Sequence, residues 1–309
     1  MTMSVPAPQL TPAVPADTIQ GIVAFLRGYS IEATKPTPAD MAELKSAAPG
    51  VEQVFISAVP TRPLADLIEH ASVVRSAGFE PVPHLAARRL ESAGEIDELL
   101  AQLSARASVR RVLVIAGDND QTKGPFTSAI ELIESGQLQR HGIVEIGVAG
   151  YPEGHPRISS DVLDRALAAK VEAAAQTGLE VHIVTQFGFA ADRIASWIAR
   201  LRDLGIEHPV RIGMAGPTNL ATLFRYARRC GVSASTQGLA RQAGLLKHLM
   251  GTSAPDSIIR PLAESRDLGK VTAHFFSFGG IGATARWAAA AASGRIVLDR
   301  ADGFEVEPP

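Results

Sequence analysis

The sequence predicts an α/β protein, a (βα)8 TIM barrel with extra helices in a single domain. Three observations carry that expectation. Eight short runs rich in Val and Ile alternate with longer stretches whose apolar residues recur at helical spacing. Eight strands close a parallel barrel, and 309 residues suffice for one with modest insertions. No internal linker divides the chain, and no repeat beyond the βα alternation is visible. A doubly wound open sheet is the alternative, because it shares that alternation.

The elements follow in order. Residues 1–14 read as a Pro-rich disordered lead-in, lacking the basic flank and long apolar core of a signal peptide. The barrel is expected over 15–300, with 301–309 as a carboxyl-terminal tail. Strands are predicted at GYSIEAT (28–34), VEQVFISAV (51–59), EPVPHLAA (80–87) and VRRVLVIAGD (109–118). They continue with VEIGVAGYP (144–152), EVHIVTQF (180–187), PVRIGMAG (209–216) and KVTAHFFSFGG (270–280). Each is bounded by Gly, Pro or polar residues. Segments such as PLADLIEHASVVRSAGF, EIDELLAQLSARA and DRIASWIARLRDLG are predicted helices. SSDVLDRALAAKVEAAAQTG is another, opening on Ser/Asp capping candidates and ending at a Gly. Two more helices are expected near 239–250 and 256–264.

Composition narrows the function. An apolar fraction of 46% suits a sizeable core, and a formal charge of −2 gives no bulk reason to expect nucleic acid or membrane binding. Cys230 is the only cysteine, which excludes an intrachain disulfide and any multi-cysteine zinc or iron–sulfur site. With no apolar run of membrane-spanning length, the chain reads as soluble and cytoplasmic.

In a parallel barrel, side chains from several strands converge at the carboxyl ends. That rule collects Glu32, Ser57, His84 and Asp118 from the first four strands. The fifth adds Tyr151, Glu153 and His155, and the sixth adds Thr185 and Gln186. The seventh runs into GMAGPTN, and the eighth carries His274 before GGIG. Singly, Glu32 reads as a surface or capping residue, His84 as a core imidazole, Asp118 as a turn cap and Gln186 as a satisfied amide. His274, in mid-strand, reads as structural. Jointly the ring points to an enzyme or ligand site. There is no GxxxxGK[ST] loop, HExxH or GxSxG elbow, and no metal site is expected. GGIGAT (279–284) has the wrong spacing and place for a dinucleotide fingerprint and fits a phosphate-approach loop instead.

AGYPEGHP (149–156), followed by a helix with Lys170 and a strand ending in TQF (185–187), resembles the methylenetetrahydrofolate reductases of the FAD-dependent, short bacterial type. The resemblance runs from about Gly28 to Ala292. It implies a barrel that holds FAD and interconverts 5,10-methylene- and 5-methyltetrahydrofolate, with NAD(P)H as hydride donor. The substrate is then a small-molecule folate, and a homo-oligomer stays open. By the same resemblance Glu32 is the general acid, and a barrel interior is expected to raise its pKa and keep its proton near neutral pH. Asp118 matches the family aspartate near flavin and pterin, and Gln186 the substrate-binding glutamine. Ser57, His84, Asp118, Tyr151, His155 and Lys170 match FAD positions, with Phe126 of KGPFTSA near the adenine side.

Three departures stand out. Ala116 replaces the arginine of the family's RGD, removing a phosphate contact. Leu220 of GMAGPTNL stands where a phenylalanine packs on folate and the nicotinamide donor, so it lacks the π-face for stacking. HFFSFGG (274–280) replaces HFYTLNR, losing an Asn and the Arg for the folate tail while keeping Phe276 and Phe278 as apolar contacts. These departures favour a chain that works mainly as a 5-methyltetrahydrofolate oxidase. A flavin-independent NADH-dependent reductase and a non-catalytic flavin- or folate-binding subunit are the alternatives.

Overall fold

Strands buried on both faces need nearly continuous apolar sequence, and RVLVI at 111–115 has it, with Val112, Leu113 and Val114 buried. The computed structural model describes residues 15–119, 121–230, 232, 252–265 and 267–307. The lead-in at 1–14 and the helix expected near 239–250 lie outside the described residues. Eight such strands pair in parallel: β1 (Ser30–Ala33), β2 (Gln53–Ile56), β3 (Glu80–Ala86), β4 (Arg111–Ile115), β5 (Glu145–Gly150), β6 (Glu180–Thr185), β7 (Val210–Ala215) and β8 (Val271–Phe276). They form a closed barrel in which β8 pairs with both β7 and β1, so the open-sheet alternative is excluded. All eight predicted strands are present, trimmed at their ends.

Helices α1 (Pro15–Phe25), α2 (Pro38–Ala47), α3 (Ala65–Ser76), α4 (Ala93–Ala107), α5 (Ala129–Glu134), α6 (Gln137–Arg140) and α7 (Ser160–Gln176) precede β6. They are followed by α8 (Ala191–Asp203), α9 (Leu220–Arg229), α10 (Asp256–Glu264) and α11 (Ile281–Ala292). Their starts are written locally. Thr37 and Asp40 form a capping box at α2, and the Ser92 hydroxyl accepts from Glu95 N at 3.1 Å at α4. Ser159 precedes α7 without a side-chain cap bond, so only the position of that predicted cap is met. Residues 296–298 and 304–306, the latter inside the segment read as a tail, form an antiparallel pair. Phe304 stacks on Trp287 of α11 at 5.7 Å. No helix among the described residues is long and apolar enough to cross a membrane.

One main core lies between barrel and helices, and a smaller one, Phe55, Val82, Leu113 and Val184, packs separately from it. Near the mouth, β6 and β7 approach closely at Gly213, whose N–H donates to Thr185 Oγ1 at 2.8 Å. A Cβ there would overlap the Thr185 carbonyl oxygen and lie 2.9 Å from the Gln186 carbonyl carbon. Backbone cannot yield as a side chain can. Gly213→Ala is therefore expected to lower the unfolding free energy by about 1–3 kcal/mol, read as a lower urea midpoint at unchanged slope. An unchanged midpoint contradicts the packing described.

Candidate active site

Glu32 is the third residue of β1, and its side chain is only 10% exposed. An isolated buried carboxylate is costly unless donors surround it. Three side chains do so. The Ser57 hydroxyl, just past β2, donates to Glu32 Oε1 at 2.5 Å. His274 Nε2 of β8 lies 3.3 Å from Oε2, and His84 Nε2 of β3 lies 3.5 Å from the same oxygen. His84 Nε2 makes no hydrogen bond, which leaves a buried polar nitrogen available to a ligand. Burial pushes the Glu32 carboxyl up, but His84, the bond and charge of His274, and the Ser57 hydroxyl outweigh it and hold it below the usual carboxylate range. Burial also lowers the pKa of both imidazoles, against the pull of Glu32. The expectation of a raised Glu32 pKa is thus corrected: neighbouring donors outweigh desolvation, and the group rests ionised.

A second group gathers where β4, β5 and β6 end. Tyr151 and His155 meet edge to face, with centroids 5.5 Å apart at 84°. Asp118, exposed after β4, is near enough that its charge raises the pKa of Tyr151, behind the larger effect of burial. Burial lowers His155, with Arg157 adding to that and Asp118 opposing it. Tyr151, His155, Gln186, Phe187, Cys230 and Val232 line one pocket. The Gln186 side-chain oxygen accepts from Phe187 N at 3.1 Å, which leaves its NH2 to donate elsewhere. Lys170, on α7 and half-buried, reaches only the Ala149 carbonyl at 3.5 Å. Among the described residues no carboxylate lies within ion-pair distance of it, and burial pulls it down to about 8.

Glu153, between Tyr151 and His155, lines the same pocket but is committed to backbone. Its Oε1 accepts from the N–H groups of Phe189, at 2.5 Å, and Ala190, at 2.8 Å, at the start of α8. Burial raises its pKa against those two bonds. It is a cap for a helix with few other caps.

A third group is apolar. Phe187, Phe189 and Leu223 form a cluster with Leu220, Phe276 and Phe278 against it. Phe187 meets Phe276 at 5.5 Å and Phe278 at 5.1 Å, both edge to face. Phe278 stacks on Tyr226 of α9 at 4.0 Å and 9°. Leu220, the first residue of α9, follows Asn219, whose side chain caps the helix by accepting from Thr222 N at 2.8 Å.

The structure therefore brings Glu32, Ser57 and His84 together, sets Asp118, Tyr151, His155 and Gln186 just past the neighbouring strands with Lys170 reaching β5 from α7, and packs Leu220 and Phe276 against one apolar cluster. Phe126 is the exception. It is 7% exposed and belongs to the main core, which leaves little of its ring for a cofactor. His274, which reads as structural from its mid-strand place, is a direct partner of Glu32, with Ser30 behind it. The available signal was parity: Thr272, His274 and Phe276 share one face of β8, and Phe276 was already placed in the site.

Comparison with known proteins identifies the family. Residues 49–244, well over half of the chain, match the family described as methylenetetrahydrofolate reductase. The chain is 28% identical over 157 residues to the 5,10-methylenetetrahydrofolate reductase of Pectobacterium carotovorum subsp. carotovorum, covering 50% of each. It is 28% identical over 173 residues to methylenetetrahydrofolate reductase 2 of Saccharomyces cerevisiae, covering 53% of this chain and 27% of that protein. It is 31% identical over 130 residues to methylenetetrahydrofolate reductase 1 of Schizosaccharomyces pombe, covering 40% and 21%. The matches thus span half or less of these relatives' lengths. Among solved structures, dihydropteroate synthase from Thermus thermophilus aligns at a TM-score of 0.44 and 15% identity over 85% of this chain and 91% of its own, too distant to bear on the site. Strand-end residues, barrel and sequence match lead to one statement: the chain belongs to the methylenetetrahydrofolate reductase family.

Proposed function

We propose that this chain transfers a hydride between bound FAD and the one-carbon group of tetrahydrofolate, running mainly from 5-methyltetrahydrofolate to 5,10-methylenetetrahydrofolate. The observation that carries this reading is the resting state of Glu32, a buried carboxylate held ionised by Ser57 and His274 with His84 beside it. An ionised carboxylate accepts a proton and cannot donate one. Oxidation needs such an acceptor. As the hydride leaves the methyl carbon, N5 becomes an iminium, N10 adds to that carbon, and the N10 proton passes to Glu32. In this reading the Gln186 NH2 and the Asp118 carboxylate hold the pterin edge, with the Phe187, Phe276 and Leu220 surface as its apolar wall.

The residues present fit FAD. Lys170 is a half-buried cation with only a carbonyl for company, which suits a phosphate, and Tyr151 and His155 offer a ring face and an imidazole beside it. Bound FAD supplies the two-electron hydride acceptor. Lys170, His155, Tyr151 and Ser57 bind and orient it, and Arg88 stiffens the loop after β4 by donating to the Thr127 carbonyl at 2.8 Å and the Asn119 carbonyl at 3.4 Å. Leu220 lacks the aromatic face that would stack a nicotinamide, which supports the oxidative direction over reduction by NAD(P)H.

Anaerobic mixing tests the direction. Flavin-loaded protein should be bleached rapidly by 5-methyltetrahydrofolate and slowly by NADH; the opposite order, or a protein that takes up no flavin, overturns the reading. Glu32→Gln should slow bleaching by 5-methyltetrahydrofolate about 10²–10⁴-fold while leaving the flavin spectrum unchanged. Retained turnover in that variant removes Glu32 from its role.

Lys170 gives a pH test of the cofactor site. A phosphate favours the charged lysine, and the free protein loses that charge as pH rises through about 8. FAD affinity, followed by fluorescence quenching, should be flat below that pH and fall about tenfold per unit above it. Lys170→Met should bind weakly with no such slope. A slope surviving in that variant assigns it to another group.

A further inference from the structure

We propose that His274 is a positioning residue: Ser30 and Arg211 fix it as the Nε2–H tautomer, and in that form it sets Glu32 as an ionised proton acceptor. The inference rests on the reading of Glu32 as the group that takes the folate proton.

The hydrogen-bond order leaves one arrangement. Arg211 of β7 can only donate. Its Nη1 lies 3.4 Å from Ser30 Oγ and 3.3 Å from the Gly28 carbonyl. The Ser30 oxygen therefore accepts from Arg211, and its proton points to its other partner, His274 Nδ1, at 2.8 Å. Nδ1 is then an acceptor, so a neutral imidazole carries its proton on Nε2, which faces Glu32 Oε2 at 3.3 Å. The chain runs from a cation through a hydroxyl and an imidazole to a carboxylate, every bond donating toward Glu32. Ser30 and His274 have no exposed surface. The His274 ring is held edge-on by Phe55, with centroids at 4.7 Å, and by Phe276 at 5.1 Å, which bars a ring flip.

The other ionisable groups around this chain are accounted for. His84 of β3 faces Glu32 without a hydrogen bond. His182 of β6 lies 2.7 Å from Glu145 of β5, which is bound in turn by Arg111 of β4 at 2.5 Å. Arg211 has no carboxylate within ion-pair distance among the described residues; its guanidinium lies 5.9 Å from the Phe55 ring. The cation of the chain is thus committed to Ser30 and the Gly28 carbonyl rather than to an acid.

A donor to a carboxylate favours its charged form, so removing that donor raises the Glu32 pKa. Because Glu32 works only when ionised, the acid limb of the oxidation moves to higher pH. The test is the pH profile of flavin bleaching by 5-methyltetrahydrofolate in flavin-loaded wild type, His274→Phe, His274→Gln and Ser30→Ala. His274→Phe should move the acid limb up by about one pH unit, and Ser30→Ala should move it in the same direction by less. His274→Gln, whose amide restores an N–H, should return the limb close to wild type. Equal loss of rate at every pH, with the limb unmoved, marks a merely structural role and overturns the proposal. A second readout needs neither turnover nor a folded variant. In wild-type protein labelled with ¹⁵N-histidine, the His274 ring should show a protonated Nε2 and a bare Nδ1; a protonated Nδ1 overturns the proposal. Failure of the Glu32 assignment is told apart by Glu32→Gln, which would then keep turnover while the ring signal stayed as described.

Discussion

The barrel closes through three backbone pairs between its first and last strands, and the same three pairs assemble the proton site. Parallel pairing sets Ser30 beside His274, Ile31 beside Phe275 and Glu32 beside Phe276. Alternate residues face opposite sides of a strand, so Ser30, Glu32, His274 and Phe276 share the lumen while Ile31 and Phe275 pack outward in the main core. A slip of one residue would exchange these sets, burying Phe275 in the lumen and turning Glu32 away from Ser57. Phe275 resists that slip, wedged edge-on between Tyr29 at 5.5 Å and Trp287 at 6.0 Å. The register that makes the fold cohere is therefore also what places an acid against an imidazole.

Two ionic systems then share one lumen. The upper one is Glu32 with its three neighbours. The lower one begins at the first residues of β3, β4 and β5, where Arg111 binds Glu145 at 2.5 Å and Arg75 binds Glu80 at 2.7 Å. Burial raises Glu145, but His182 and Arg111 outweigh it and bring it down to about 2. Ionisation there serves the closed base of the barrel, in keeping with the division between a stabilising amino-terminal face and a reactive carboxyl-terminal one. Phe55 separates the two, meeting His84, His182 and His274 edge to face. Its ring fills the space between them, packed with Val82, Leu113 and Val184. Arg211 connects them, through Ser30 above and the field of Glu145 below.

Much of this was legible in the sequence, for reasons that also explain the misses. Parallel strands buried on both faces leave continuous apolar runs, so all eight could be located, and their carboxyl ends named Glu32, Ser57, His84, Tyr151 and Gln186. His274 reads as structural because it lies mid-strand, yet β8 is short enough for its fourth residue to reach Glu32. The direction of the Glu32 pKa was not legible at all. It depends on donors 25 and 242 residues away, whose distances only the closed barrel sets. Glu153 and Phe126 show the converse. Each lies in a stretch that looks functional, yet one caps a helix and the other fills the core ahead of a Ser128–Glu131 capping box.

The departures from the family pattern fall on one side of this architecture. Ser30, Glu32, Ser57 and His274 form a hydrogen-bonded set, with His84 Nε2 beside it and unpaired among the described residues. Ala116 and Leu220 lie instead on the loop after β4 and at the start of α9, where phosphate and nicotinamide contacts are expected. The end of β8, stripped of Asn and Arg, has become apolar: Phe278 lies flat on Tyr226, and the guanidinium of Arg225 sits 5.6 Å from that same ring. On the proposed reading, a site with a carboxylate proton acceptor and no aromatic platform for a nicotinamide suits 5-methyltetrahydrofolate oxidation. On the same reading, reduction by NAD(P)H calls for both that platform and a protonated acid, whereas the donors beside Glu32 favour its ionised form.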